Sequence, residues 1–392
     1  MINRRTFLRG TAAVTTAVAA SAALAACGDD TTDDPAGASA ADVDAALAAG
    51  GTIVVWAWEP TLQQVVTAFQ ARYPKVTVNL VNAGTSNDQY QALQNAISAG
   101  SGVPDLAQIE YFALPQFALG ESLTDLTAFG ADALDATFTP GPWASVRTGG
   151  GLFGLPMDSG PMALFYNKRV FDKHGITVPA TWDEYLAAAA KLHAADPTAY
   201  ITNDIGDAGF TTSMIWQAGG TPFTVDGTTV TIDLADAGST RFVALWQQLI
   251  SQELLAPVGS WSDGWYKGLA DGSIATLVIG AWMPANLESG VAAASGDWRV
   301  APMPQWTAGG SATSENGGSS LAIPKAGTNN ALAYGFMTFA TVGEGAQIRV
   351  DNGAFPATND QLTSDAFIGR QLEYFGGQKV NESPCAEHAA MA

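Results

Sequence analysis

Carboxylates stand beside aromatic rings at Trp58-Glu59 and Glu110-Tyr111, and Asp158 adds a further acid after Pro156-Met157. Two such carboxylates, Glu110 and Asp158 for instance, could act as acid and base or nucleophile about a glycosidic bond. Other chemistries lack their residues. His174, His193 and His388 are scattered, and neither His-x-x-x-His, Cys-x-x-Cys nor His-Glu-x-x-His spacing occurs, which argues against a zinc site. No nucleophile elbow is present, and nothing calls for a cofactor. The formal net charge of −20 repels phosphate backbones, so nucleic acid is not an expected partner.

These side chains need a sheet to hold them. Ile53 to Trp58 is a continuous apolar run suited to a covered strand, after which Leu62, Val65, Val66 and Phe69 repeat at helical spacing up to Tyr73-Pro74. Val76, Val78 and Leu80 alternate as a second strand. Tyr90, Leu93 and Ile97 mark a helix closed by Gly100, and Leu106 to Ile109 forms a third strand. This βαβαβ order predicts a parallel sheet with right-handed crossovers. Ligands of such sheets sit beyond the carboxyl ends of the strands, here Trp58-Glu59, Asn82 to Asn87 and Glu110-Tyr111.

A second unit begins near Gly160, with Leu164 to Tyr166 strand-like and Thr181-Trp182-Asp183-Glu184 reading as a capping box that opens a helix through Leu192. Trp182 and Trp246 lie on helical stripes and are expected in the core. Strands follow at Ile274 to Ile279, Trp298 to Ala301 and Ser320 to Ile323, with helices around Leu332 to Phe339 and Gly345 to Val350. A chain of 392 residues exceeds one comfortable core, which suggests two lobes.

The N-terminus carries its own information. Arg4-Arg5-Thr6-Phe7-Leu8-Arg9, a short soft apolar run and Leu24-Ala25-Ala26-Cys27 form a secretory signal ending in a segment that resembles a bacterial lipobox. The twin arginines resemble the twin-arginine export motif, although Asn3 and Arg9 depart from it, so either export route is open. Residues 1–26 are expected to be removed, taking three arginines and no acid with them. Cys27, diacylated, would then anchor the protein to the outer face of the cytoplasmic membrane. Gly28 to Gly51 is Ala, Asp, Gly and Thr with almost nothing to bury and reads as a tether, with order beginning near Thr52. With Cys27 lipidated, Cys385 has no disulfide partner.

The order of motifs resembles the extracellular solute-binding proteins of carbohydrate ABC transporters, the maltose-binding-protein type. The resemblance rests on Gly154-Leu155-Pro156-Met157-Asp158, Leu164-Phe165-Tyr166-Asn167-Lys168-Arg169-Val170-Phe171, Pro179-Ala180-Thr181-Trp182-Asp183-Glu184, Gly280-Ala281-Trp282-Met283-Pro284-Ala285-Asn286-Leu287, Val300-Ala301-Pro302-Met303-Pro304 and Gly317-Gly318-Ser319-Ser320-Leu321-Ala322-Ile323, in that sequence. It implies an α/β, two-lobed periplasmic-binding-protein type II fold, each lobe a mostly parallel sheet flanked by helices. The implied protein is a monomer that binds a sugar between the lobes and, on hinge closure, delivers it to a membrane permease. Lobe changes are expected near Asp158-Ser159, Ser273 and Pro324. The N-lobe would then hold 52–158 and 274–324, and the C-lobe 159–273 and 325–392. The resemblance also implies tens of residues beyond Gly376 to Asn381, so the ending Ser383 to His388 reads as a truncated C-lobe.

A sugar site needs flat polar groups for hydroxyls and rings for C–H faces. The expected stacking rings are Trp58, Trp216 and Trp282, with Tyr111 and Trp265 next. The expected polar contacts are Glu59, Asn87, Glu110 and Asp158, while Gly317-Gly318-Ser319 would bring backbone amides close to the ligand. A glycoside hydrolase using Glu110 and Asp158 is the competing expectation.

Overall fold

The computed structural model describes residues 40–204, 206–226 and 229–382. The signal segment, Cys27, the tether as far as Ser39, Cys385 and His388 lie outside the described residues.

Strands β1 (Gly51–Trp56), β2 (Val76–Val81) and β3 (Leu106–Glu110) form the expected parallel sheet, with Ile53 opposite Val78 and Val55 opposite Leu106. Their crossovers are α2 (Leu62–Arg72) and α3 (Asn87–Ala99). The first buries Leu62, Val65, Val66 and Phe69 along one face, and the second ends on Gly100 in the left-handed conformation. Two later segments complete the sheet: β4 (Leu155–Pro156) and β8 (Ser319–Ala322). The latter lies antiparallel between β3 and β4, with Ser319 opposite Glu110.

The second sheet is built on β5 (Met162–Asn167), flanked by β6 (Thr276–Gly280) and β7 (Trp298–Ala301). Both flanking strands run antiparallel to β5, and among the described residues the parallel pairings of this half are the short pair Thr202–Asn203 with Leu255–Ala256 and the single bridges Tyr200–Ile274 and Thr181–Gln305, so this sheet is not the mostly parallel one expected. The antiparallel pairing has a structural consequence. It puts Gly280 beside Met162 and delivers the Gly280-Ala281-Trp282 turn to the point where the chain enters this half. Alternate β5 residues feed two cores, as the strand period requires. Leu164 joins Trp182, Tyr185, Met214 and Trp246, whereas Phe165 joins Trp265, Leu277, Trp298 and Phe375. Helix α4 (Trp182–Ala195) opens with its capping box formed, the Glu184 amide donating to Thr181 Oγ1 at 3.2 Å and the Ala180 amide to Glu184 Oε2 at 2.7 Å.

Three expectations need correcting. Order begins before Thr52: α1 (Ala40–Ala49) is a helix whose Val43 is buried and whose Leu47 packs on Gly335 of α7 (Asn330–Thr341). Alanine is the strongest helix former, and one apolar pair four residues apart suffices to dock such a helix. Residues 276–301, expected in the N-lobe, form the sheet around β5. Conversely, α7 and α8 (Gly343–Asp351), expected in the C-lobe, belong to the first half, where Leu332, Phe336 and Met337 pack with Phe69 and Ile53. Periodicity locates elements along the chain but does not name their partners in space. The changes of half near Ser273 and Pro324 accordingly fall elsewhere.

Candidate functional site

Three stretches of chain lie side by side between the halves. Asp158 pairs with Pro356 and Pro161 with Glu315, so the crossings run through Asp158 to Pro161, Ser314 to Ser319, and the segment around Pro356. The Asn316 amide donates to Gly160 O at 2.7 Å, locking the first two together. Gly317 and Gly318 have φ of +79° and +84°, values glycine adopts freely. A Cβ on Gly317 would stand 2.8 Å from Trp282 Nε1, and one on Gly318 would stand 2.6 Å from Tyr111 Cε2, so two aromatic rings rest on bare backbone here. Trp282 Nε1 donates to Asn316 O at 2.8 Å, and Tyr111 OH to Asp158 O at 2.6 Å.

On the first half, the Gln108 side chain organises the strand ends. Its Oε1 accepts from the amides of Trp58 and Glu59 at 3.1 and 3.0 Å, while its Nε2 donates to Ser319 Oγ at 3.0 Å. Trp58 sets its ring edge-on to Tyr90 at 6.1 Å. Tyr90 OH in turn donates to Glu110 Oε2 at 2.9 Å. Burial raises the Glu110 pKa, Ser86 and Tyr90 pull it back by hydrogen bonding, and the charge of Asp207 from the other half adds to the rise. Glu59 is tied internally: its carboxylate accepts from Thr61 Oγ1 at 2.7 Å and lies 3.6 Å from the Nε of buried Arg349. Asn87 is exposed at the first turn of α3.

Asp158 is buried, and its Oδ1 accepts from the Ser319 amide at 2.6 Å and from Ser319 Oγ at 3.0 Å. Burial pushes its pKa up to about 6, against the pull of Arg349 and of Ser319. Glu315 on the second crossing accepts from the Gly160 amide at 2.7 Å and is pushed up to about 7 by burial. Asp158 therefore braces β8 against the first crossing.

On the second half, Trp261 stacks on Trp282 with centroids 6.0 Å apart and rings 23° from parallel. Helix α5 (Ala208–Gln217) is capped by Asp207, which accepts from the Gly209 amide at 2.7 Å. Its Ser213 hydroxyl donates to Glu315 O at 2.6 Å, and its Trp216 is 48% exposed. Trp265 is a correction. It is 1% exposed, and its Nε1 donates to Asn203 Oδ1 at 3.0 Å, so it is a core residue with no free face for a ligand. It lies on α6 (Asp263–Asp271), where the apolar stripe turns it inward. Trp182 and Trp246 are buried as expected.

The crossing thus gathers Trp58, Glu110, Tyr111, Asp158, Trp282, Gly317, Gly318 and Ser319, with Glu59 held behind it by Arg349. It also contains residues that sequence reasoning missed: Trp261, Tyr90, Asp207, Glu315 and Arg349. Trp261 had a readable signal, an aromatic residue among small and polar neighbours in Gly259-Ser260-Trp261-Ser262-Asp263-Gly264. Glu315 and Arg349 had none, because their significance lies in long-range contacts. A cavity of about 10 Å³ lined by Met157, Thr341, Arg349 and Pro356 has room for a single water-sized molecule but not for a sugar ring.

The family model described as bacterial extracellular solute-binding protein matches residues 56–347. A lactose-binding protein of Rhizobium radiobacter is 23% identical over 346 residues, which are 84% of this chain and 80% of that protein. An arabinooligosaccharide-binding protein of Bacillus subtilis is 25% identical over 71% of this chain and 65% of its own length. Among solved structures, an ABC transporter associated binding protein from B. animalis subsp. lactis Bl-04, in complex with β-1,6-galactobiose, is 45% identical with a TM-score of 0.82, covering 86% of each chain. The galacto-N-biose-/lacto-N-biose I-binding protein of Bifidobacterium longum, in complex with lacto-N-biose, is 27% identical with a TM-score of 0.72, covering 88% of this chain and 86% of that one.

Proposed function

This chain belongs to the bacterial extracellular solute-binding protein family, and on that premise we propose that it captures a galactose-containing disaccharide or short oligosaccharide and presents it to an ABC permease by closing its two halves on the ligand. The observation that carries the reading is the crossing itself. The indole stack of Trp261 and Trp282 from the second half lies against Gly317, and Tyr111, next in the chain to Glu110 of the Trp58–Tyr90–Glu110 cluster of the first half, lies against Gly318. Rings and hydrogen-bonding groups drawn from both halves are what a pyranose needs, and a ligand touching both halves favours the closed arrangement over the open one. The galactoside preference is supported by the 45% identical relative, which was solved with β-1,6-galactobiose, and by the 27% identical one, solved with lacto-N-biose.

The proposed role is binding without turnover, in which Asp158, engaged by Ser319, serves as a brace of β8. We also propose that it acts as a monomer, exported by the signal in residues 1–26 through either route and anchored through lipid on Cys27. Among the described residues no helix is long and apolar enough to cross a membrane, and a lipid anchor needs none.

Titration calorimetry of the lipid-free protein with β-1,6-galactobiose, lactose, maltose and an arabinooligosaccharide tests the reading. Saturable binding of the galactosides without turnover is expected. No binding of any saccharide, or release of monosaccharide products, would refute it.

A further inference from the structure

Four described residues other than glycine have positive φ: Ser86, Glu121, Glu253 and Trp261. Glu121 and Glu253 lie in the turns directly after the helices Leu114–Leu119 and Ala237–Ser251, where left-handed residues ordinarily end a helix. Ser86 and Trp261 lie at the site. Trp261, at φ +66°, is the harder case: the left-handed region places Cβ against the following carbonyl, and a bulky side chain there is a genuine outlier. Such conformations persist only where surrounding structure enforces them, and they cluster at binding sites.

The surroundings of Trp261 show what holds it. One face of the indole lies on Trp282, near parallel; Trp265 meets it at a tilt with centroids 5.0 Å apart, and Tyr266 is edge-on at 6.4 Å. Trp265 is in turn fixed by Asn203, and Trp282 by Asn316 on the second crossing. Even so, Trp261 remains 43% exposed. A half-exposed indole in a strained backbone contributes little packing to the fold in return for the strain. The neighbouring rings hold its free surface in a set orientation beside the crossing.

We propose that Trp261 is a saccharide-stacking residue kept in a strained left-handed conformation so that its exposed indole face receives a pyranose ring, with Trp282 as its backing rather than the contact surface. This rests on the reading of the crossing as a sugar site and adds a residue and a division of labour to it. The apolar C–H face of a pyranose lies on the outer indole, while its hydroxyls turn toward the polar groups of the first half.

The test uses W261F, W261A and W261G in the full chain, each measured for β-1,6-galactobiose affinity by calorimetry and for the melting temperature of the free protein. W261F keeps a ring and is expected within about threefold of the wild-type affinity; W261A and W261G are expected to lose about tenfold or more, the scale of one aromatic contact. In the free protein W261G is expected to melt above W261A, reversing the usual order of glycine and alanine, because glycine alone relieves the strain. Unchanged affinity in W261A and W261G overturns the stacking role, and W261G melting below W261A overturns the strain. Wild-type protein that binds no saccharide refutes the sugar reading and this inference with it. Wild-type binding that all three variants retain refutes this inference alone.

Discussion

Glu315 holds its proton more tightly in the folded chain than in the unfolded one. Its carboxylate accepts one short backbone hydrogen bond, from Gly160, with Ser159 Oγ farther off at 3.4 Å, and this does not offset its burial. Its ordinary value of 4.5 rises to about 7, so between the two the folded state binds more protons and stability falls as pH rises through that window. Wild-type protein minus E315Q is therefore expected to show a melting-temperature difference that declines from about pH 5 to about pH 8, as this one group's linkage requires. A difference that grows with pH would show that Glu315 is stabilised as the anion. At the opposite extreme of burial consequences stands Trp265. W265A removes a fully buried indole and its bond to Asn203, so denaturant unfolding should register a loss of about 3–5 kcal/mol. A loss under about 1 kcal/mol would return Trp265 to the candidate ligand contacts.

Among the elements, α1 shows where local pattern misleads. Ala40 to Ala49 carries a weak apolar stripe, and composition alone gives it nothing to bury, yet Val43 and Leu47 find α7 and a glycine, Gly335, that lets them close in. A protein trimmed to begin at Thr52 is expected to be less stable than one beginning at residue 40 by about 2 kcal/mol in denaturant unfolding, the order of one to two buried aliphatic side chains. Equal midpoints would make α1 dispensable. The β1-α2-β2-α3-β3 run was legible because its strands alternate with helices within one continuous stretch and both later strands pair with β1. The second sheet was not, since β5 pairs with strands more than a hundred residues downstream, and antiparallel and parallel partners share the same apolar pattern. Site residues divide in the same way. Tyr111 and Glu110 could be placed by being strand ends, whereas Trp265 was misread because a helical stripe and a loop aromatic differ only in which way the backbone turns them. The second crossing carries its own prediction: G317A must place a methyl 2.8 Å from Trp282 Nε1 at a φ that alanine resists. It should cost about 1–2 kcal/mol of stability and weaken saccharide binding in calorimetry by shifting the ring that backs Trp261, while unaltered binding would show that the position of Trp282 does not govern the ligand.

For the molecule as a whole, the interleaving of the chain decides how its two halves respond to a ligand. The first half is built from residues on both sides of the second, with β8, α7 and α8 returning to the sheet of β1, and the last described segment returns to pack Tyr374 and Phe375 against β5 and β7. Neither half is a contiguous piece of chain, and buried Arg349 ties α8 to the Met157 carbonyl at the first crossing. Unfolding one half frays the termini of elements in the other, so the two are expected to melt together in one calorimetric transition. A ligand held across the crossing then stabilises that entire unit by mass action, about 2.7 kcal/mol at a hundred times its dissociation constant. Halves that unfolded independently would instead give two resolvable transitions, and a saccharide bound to one half would move only one of them. Scanning calorimetry with and without β-1,6-galactobiose separates these cases: a single peak displaced intact supports one cooperative unit stabilised by its ligand, and a split profile shows that the halves unfold separately.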